Sequence, residues 1–216
     1  MLQGIDVSGW QKSGTLKAKN YNFAIIKASE GVDYKSDGLD YHYNDFSGRT
    51  DGNPCGKLYG FYHYARPDTG NTAKAEAESF LKFVGHHKGK AVYALDWEDK
   101  ALNYPASWAM EFLDIVSRET GCNPLFYASA SVMRDPKYKD IVSKYPLWVA
   151  AYSDTPPDFG GAFKSWKIWQ YTSEPYDLNK FNGNAEDWKA LCCKAQKSKS
   201  WQVVRQGNGE IVLGWK

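Results

Sequence analysis

Short apolar stretches with a period of two alternate along this chain with longer stretches of helical period. Residues 2–7, 23–27 (F-A-I-I-K), 57–64 (K-L-Y-G-F-Y-H-Y), 91–96 (A-V-Y-A-L-D), 125–128, 147–151 and 166–170 read as strands, with 177–178 as a last short one. Ala73, Ala77, Phe80, Leu81 and Val84 fall on one helix face. Asn71 or Thr72 is its predicted cap and Gly85 its stop. A second helix places Met110, Leu113 and Val116, or Phe112 and Ile115, inward, with Ser107 as cap and Gly121 as end. Residues 129–144 predict a third, less regular one, and helical patterns thin out after residue 145. Strands alternating with helices predict an α/β chain with a parallel sheet. About eight strands within the first 188 residues predict an irregular β/α barrel whose helices are sparse in the C-terminal part. An open doubly wound sheet is the alternative, but no G-x-G-x-x-G opens any helix.

After Trp188 the pattern changes. Residues 201–205 and 210–213 are β-like around Gly207-Asn208-Gly209, a turn signal, and predict a hairpin behind a linker at 194–200. The chain therefore divides into a body, 1–188, and a C-terminal tail, 189–216. Charge sharpens that division. The overall balance is only +2, which argues against nucleic acid as a partner. Residues 189–216 carry six Lys/Arg and one Glu, or +5, which leaves the body at −3. The longest apolar run, 147–152, is six residues, far short of the about 18 that a membrane span needs. Cys55, Cys122, Cys192 and Cys193 show neither framework spacing nor C-x-x-C, so they read as thiols with no metal site. No sequence motif calls for a cofactor, and the body reads as a monomer. The N-terminus lacks a basic-then-apolar leader, which predicts synthesis in a cytosol.

Composition adds one unusual number: 16% of residues are aromatic. Trp and Tyr have polar tips that want partners, so an excess points to an aromatic core or to a surface for flat ligands. Candidate chemistry decides where to look. Asp96 and Glu98 follow a strand and point to one side, with Trp97 on the other. Two carboxyls at the C-terminal end of a strand repel, which raises one pKa and separates an acid from a base. In a β/α barrel that end carries the catalytic groups. In isolation, such a pair is more often a solvated acidic loop. Asp6 ends the first strand and Asp177 begins the last, so closing a barrel would set them side by side across the mouth. Carboxyls around one mouth are what glycoside hydrolysis uses. Tyr62, Tyr64, Tyr127, Trp148 and Gln170 fall near strand ends, where both core and binding roles are open to them. Phe61, Leu95 and Trp166 read as core. His63, opposite Tyr62 and Tyr64, reads as a core histidine, and His86-His87 as exposed. Ser8 lies outside a G-x-S-x-G elbow, and there is no H-E-x-x-H.

Taken in order, G-I-D-V-S-G-W-Q, F-A-I-I-K-A-S-E-G, G-F-Y-H-Y-A-R-P, A-L-D-W-E, P-L-F-Y-A-S, L-W-V-A-A-Y and W-K-I-W-Q-Y-T-S with Y-D-L-N resemble glycoside hydrolase family 25 over about residues 2–188. The resemblance implies an irregular β/α barrel and an N-acetylmuramidase of the lysozyme type. Such enzymes cleave the β-1,4 bond between N-acetylmuramic acid and N-acetylglucosamine in bacterial peptidoglycan. It further implies Glu98 as general acid, Asp96 as the group that orients the substrate's 2-acetamido arm, and Asp6 and Asp177 as the other mouth acids. Tyr62, Tyr64, Tyr127, Trp148, Gln170 and Lys27 match groove positions. The route it implies is substrate-assisted, with direct water attack and inversion as the alternative. One departure is a short spacer between W-Q-Y-T-S and Asp177. The tail lies outside the resemblance; its end, G-N-G-E-I-V-L-G-W-K, is weakly similar to Gly-Trp wall-binding repeats, and its charge suits anionic wall polymers. A non-catalytic glycan binder on the same scaffold and a chitin-directed glycosidase are the competing functions. The D-x-x-D-x-D-x-E signature of the chitinase family is absent before Glu98. The setting implied is an endolysin released from the cytosol by another protein or by lysis, or a secreted autolysin without its leader.

Overall fold

The computed structural model describes residues 1–16, 21–47, 58–158, 165–192, 201–205 and 211–215, the last two stretches as backbone strands only. In chain order the elements are β1 (Leu2–Val7), β2 (Phe23–Glu30), β3 (Tyr34–Lys35), α1 (Leu39–Ser47), β4 (Leu58–Tyr64), α2 (Ala73–Val84), β5 (Ala91–Asp96) and α3 (Ala106–Thr120). They continue with β6 (Leu125–Ser129), α4 (Ala130–Arg134), α5 (Lys139–Lys144), β7 (Leu147–Ala150), β8 (Ile168–Thr172), β9 (Leu178–Phe181), α6 (Ala185–Cys192), β10 (Trp201–Arg205) and β11 (Ile211–Trp215).

Eight of these strands close a barrel in the order β1-β9-β8-β7-β6-β5-β4-β2, with β2 returning to β1. The seam is set by Asp6 opposite Ile25 in parallel and Ile5 opposite Leu178 antiparallel. The barrel is therefore mixed, where alternation alone predicted an all-parallel sheet. The reason lies in loop length. Only residues 173–177 join β8 to β9, whereas a parallel crossover needs a dozen or more residues.

Side-chain alternation splits the core in two. Ile25, Tyr62, Val92, Ala94, Leu125, Tyr127, Trp148, Ile168 and Phe181 fill the barrel, while Ile26, Phe61, Tyr93, Leu95, Phe126 and Val149 face outward under the helices. α2 and α3 pack together on that outer layer. Thr72 caps α2 by accepting from Ala75 N at 3.1 Å. The cap of α3 is Pro105, so Ser107 lies inside the helix; Gly121 ends it in the left-handed region, at φ 72°. The 129–144 stretch breaks into α4, a 3-10 turn and α5. Over β8 and β9 side chains do the work of a helix: Lys180 lies 4.9 Å over the Trp169 ring and 4.6 Å over Tyr171, and Trp169 Nε1 donates to Ala151 O at 2.7 Å.

Two helices escaped the pattern. α1 buries only Leu39 and Phe46 as apolar residues, beside His42 and Asp45. α6 runs through Trp188 and plugs the barrel floor, its indole 4.7 Å from the Phe23 ring and 5.2 Å from Phe181. Gly4 has no side chain because the Phe23 ring lies 2.4 Å from where its Cβ would stand. β10 and β11 pair antiparallel, Val203 opposite Leu213; residues 194–200, the turn at 207–209, Cys55 and Cys193 lie outside the described residues. Cys122 and Cys192 are buried.

Candidate active site

β1, β4, β5, β6, β7 and β8 end at the same rim, and β9 starts there. Alternation fixes what each strand offers the mouth. Asp6, Tyr62, Asp96, Tyr127 and Gln170 are the buried inward-facing side chains nearest the rim, and each is less than 10% exposed. Because β9 runs the other way, it delivers Asp177 at the rim and Asn179 one step deeper. Asp6 N donates to Asp177 O at 3.0 Å, which ties the first and last strands together at the acids.

A polar network holds Asp6. Its Oδ2 accepts from Gln170 Nε2 at 2.9 Å and from Asn179 Nδ2 at 2.7 Å. Asn179 Oδ1 accepts from Trp148 Nε1 at 2.8 Å. Gln170 Oε1 accepts from Tyr127 OH at 2.9 Å and from Tyr152 OH at 3.3 Å. Both amides are thus fixed in orientation, because each amide oxygen is occupied by a ring donor and its nitrogen points at the carboxylate. Tyr127 and Tyr62 pack against Trp148, with ring centroids 4.6 and 6.0 Å apart, and fill the barrel interior beside the acids.

The second acidic pair stands opposite. Trp97 turns outward, fully buried, with Nε1 donating to Tyr138 OH at 2.9 Å. Asp96 and Glu98 therefore share the inner side. Asp96 Oδ1 is buried with no hydrogen-bond partner among the described residues. Asp99 then turns the chain sharply at φ 49°, a left-handed conformation that Asp tolerates better than most residues. The turn lets Tyr64 OH donate to Asp99 Oδ2 at 2.7 Å. Lys27 Nζ sits 4.7 Å over the Tyr64 ring and bonds Glu30 Oε2 at 2.7 Å.

Burial pushes all four mouth carboxyls upward, and repulsion from neighbouring carboxylates adds to it at Asp6, Asp96 and Glu98. Burial, then Asp177, lifts Asp6 to about 8 against the pull of its two amide donors. Burial and the neighbouring Glu98 hold Asp96 well above the usual carboxylate range. Glu98 is raised by burial, Asp99 and Asp177, with Lys27 pulling it down. Burial raises Asp177. Such a site holds protons at pH values where isolated carboxyls have lost them, which is the condition for acid catalysis.

All ten residues singled out from the sequence line this mouth or its wall. Asn179 and Tyr152 are additional. Asn179 was detectable, since it lies two positions from Asp177 on a strand and so shares its side. His63 is a core residue, its ring nitrogens held at 2.8 Å by Ser29 Oγ and at 2.8 Å by Glu76 Oε2. His86 is exposed, but His87 is buried against Tyr59 OH at 3.2 Å, against the exposure that its Gly/Lys-rich surroundings predicted.

Residues 5–189 match the family model described as glycosyl hydrolases family 25. Lysozyme M1 of Streptomyces globisporus is 31% identical over 88% of this chain and 71% of its own length. The N,O-diacetylmuramidase of Chalaropsis sp. is 29% identical over 88% of this chain and 98% of its own. The family 25 lysozyme structure from Aspergillus fumigatus superposes with a TM-score of 0.72 at 29% identity, covering 89% of this chain and 99% of that one.

Proposed function

The chain belongs to glycosyl hydrolases family 25, and from that premise we propose that it is a peptidoglycan hydrolase that cuts the β-1,4 bond between N-acetylmuramic acid and N-acetylglucosamine, with Glu98 as the acid. The observation that carries this reading is the ring of four raised carboxyls, Asp6, Asp96, Glu98 and Asp177, at the C-terminal mouth of a closed barrel. Glu98 is half-buried where Asp96, on the same side of β5, is buried, which leaves the Glu98 carboxyl within reach of a glycosidic oxygen. Protonated Glu98 donates to that oxygen as the bond to the anomeric carbon breaks. The substrate's own acetamido oxygen then bonds the anomeric carbon from the other face. Water opens the resulting ring, and the Glu98 carboxylate takes the proton that water gives up.

Asp96 supports the substrate-assisted route. Its buried Oδ1 has no donor among the described residues, and a buried acceptor left unmade costs about 1–3 kcal/mol. An acetamido N–H placed there satisfies it and orients the attacking oxygen. Asp6, locked by Gln170 and Asn179, and Asp177 face the positive charge that develops on the sugar. The basic segment 189–216 adds salt-screened attraction to anionic wall polymers.

Mass spectrometry of purified peptidoglycan after digestion tests the reading. N-acetylmuramic acid at the new reducing ends is the expected product. N-acetylglucosamine at those ends, or wall binding with no new ends, would refute it.

A further inference from the structure

Three large aromatic side chains are notably exposed among the described residues, Trp10, Tyr34 and Tyr152, and all three follow strands that end at the mouth of the barrel, Tyr34 within the short β3. Tyr152 is accounted for by its bond to Gln170. Trp10 is 92% exposed and belongs to no part of the acid network. Its backbone, by contrast, is held firmly from α1. Tyr41 OH donates to Gln11 O at 2.8 Å, the His42 ring bonds Ser8 O at 3.0 Å, and Asp45 Oδ2 accepts from Gly14 N. Ser8 N donates to Gln11 Oε1 at 2.8 Å, which closes the turn around Trp10. Gly38 permits this close approach, because a Cβ there would stand 2.8 Å from Ser8 O. The loop is thus pinned on both sides of an indole that it leaves in water.

That indole lines a cavity of about 700 Å³ with Lys27, Tyr64, Arg66, Lys100 and Asn103, within the range of small-molecule sites. The cavity opens beside the acids through Tyr64 and Asp99, the residue after Glu98. Its cations are paired with carboxylates: Lys27 with Glu30 at 2.7 Å, Arg66 with Asp68 at 2.8 Å, and Lys100 with Asp68 at 3.5 Å. What remains is a flat apolar ring, a second ring, an amide and a balanced set of donors and acceptors. This chemistry fits an uncharged, hydroxyl-rich ring with one apolar face better than it fits a charged peptide.

We propose that Trp10 is the stacking platform of a remote subsite that takes one N-acetylhexosamine ring of the glycan strand, away from the scissile bond. The subsite rests on the muramidase reading, and it makes Trp10 a determinant of strand-length preference. The test uses glycan strands of one to four disaccharides, freed of their stem peptides. Binding is titrated calorimetrically to Glu98→Gln with and without Trp10→Ala, and cutting is followed separately in proteins that keep Glu98.

Loss of one aromatic stacking contact should weaken binding of the longest strands about tenfold, with the deficit shrinking as strands shorten. Trp10→Phe should recover most of it and Trp10→Leu little. In the cutting assay the loss should fall on KM rather than kcat. Equal binding of long strands by both proteins, an equal deficit at one disaccharide, or a deficit seen only with peptide-bearing strands would overturn the subsite. Strands that bind through Trp10 but are never cut would instead fault the assigned reaction.

Discussion

Glu98→Gln removes the proton and keeps the shape. A placed general acid is worth about 10²–10⁴-fold, or about 3–5 kcal/mol of barrier at 1.36 kcal/mol per decade. Cutting of purified walls, followed by reducing ends, should fall by that factor while wall binding persists. The pH profile carries a finer test. Activity needs the protonated form, so kcat/KM falls as pH rises through the Glu98 pKa. Burial, Asp99 and Asp177 raise that pKa and Lys27 lowers it. Asp99→Asn should therefore move the alkaline limb to lower pH, and Lys27→Met should move it higher. Near-normal cutting by folded Glu98→Gln, or limbs displaced in the opposite directions, would refute the assignment of the acid.

Asp6→Asn should abolish cutting yet raise Tm more at pH 8 than at pH 5. A carboxyl lifted to about 8 in the fold contributes stability below its unfolded pKa and loses it as pH rises through the folded one. A scan at the two pH values in which the variant gains nothing at pH 8 would count against the buried-charge account. Trp188→Ala should cost about 3–5 kcal/mol and a Tm loss on the order of 10 °C. Because the plug lies at the far end from the acids, cutting well below the new Tm should survive; its selective loss would contradict the separation. Deleting 193–216, which spares α6, should weaken wall pelleting at low salt and make little difference at high salt; identical pelleting across salt would remove the tail's role.

Most of the barrel was legible because its strands obey alternation: Tyr62 and Tyr64 inward, His63 outward, Asp96 and Glu98 on one side of Trp97. Legibility failed where polar residues took core duty. α1 hides behind buried His42 and Asp45. β9 reads weakly because its first inward residue is Asn179, whose partners, Asp6 and Trp148, lie more than 30 residues away in sequence. His87 has Gly and Lys neighbours in the chain yet packs against Tyr59, Tyr43 and Phe61. Ser107 looked like a cap because Ser usually is one, but the cap falls two residues earlier, at Pro105. The mouth acids were visible as strand-end carboxyls, and Gln170 through the family resemblance; Asn179, the second amide on Asp6, was not singled out, since Asn announces no chemistry by type.

The reversed β9 also decides from which side of the barrel the chain continues. A parallel last strand would end at the rim and send the rest of the chain across the groove. β9 ends at Phe181, opposite Leu2, at the floor, where α6 follows directly. Whatever is attached after Cys192 starts from the side away from the substrate. An anchor, a label or a second module fused at that end acts as a leash on the back of the barrel and leaves the cutting face free to move along a strand.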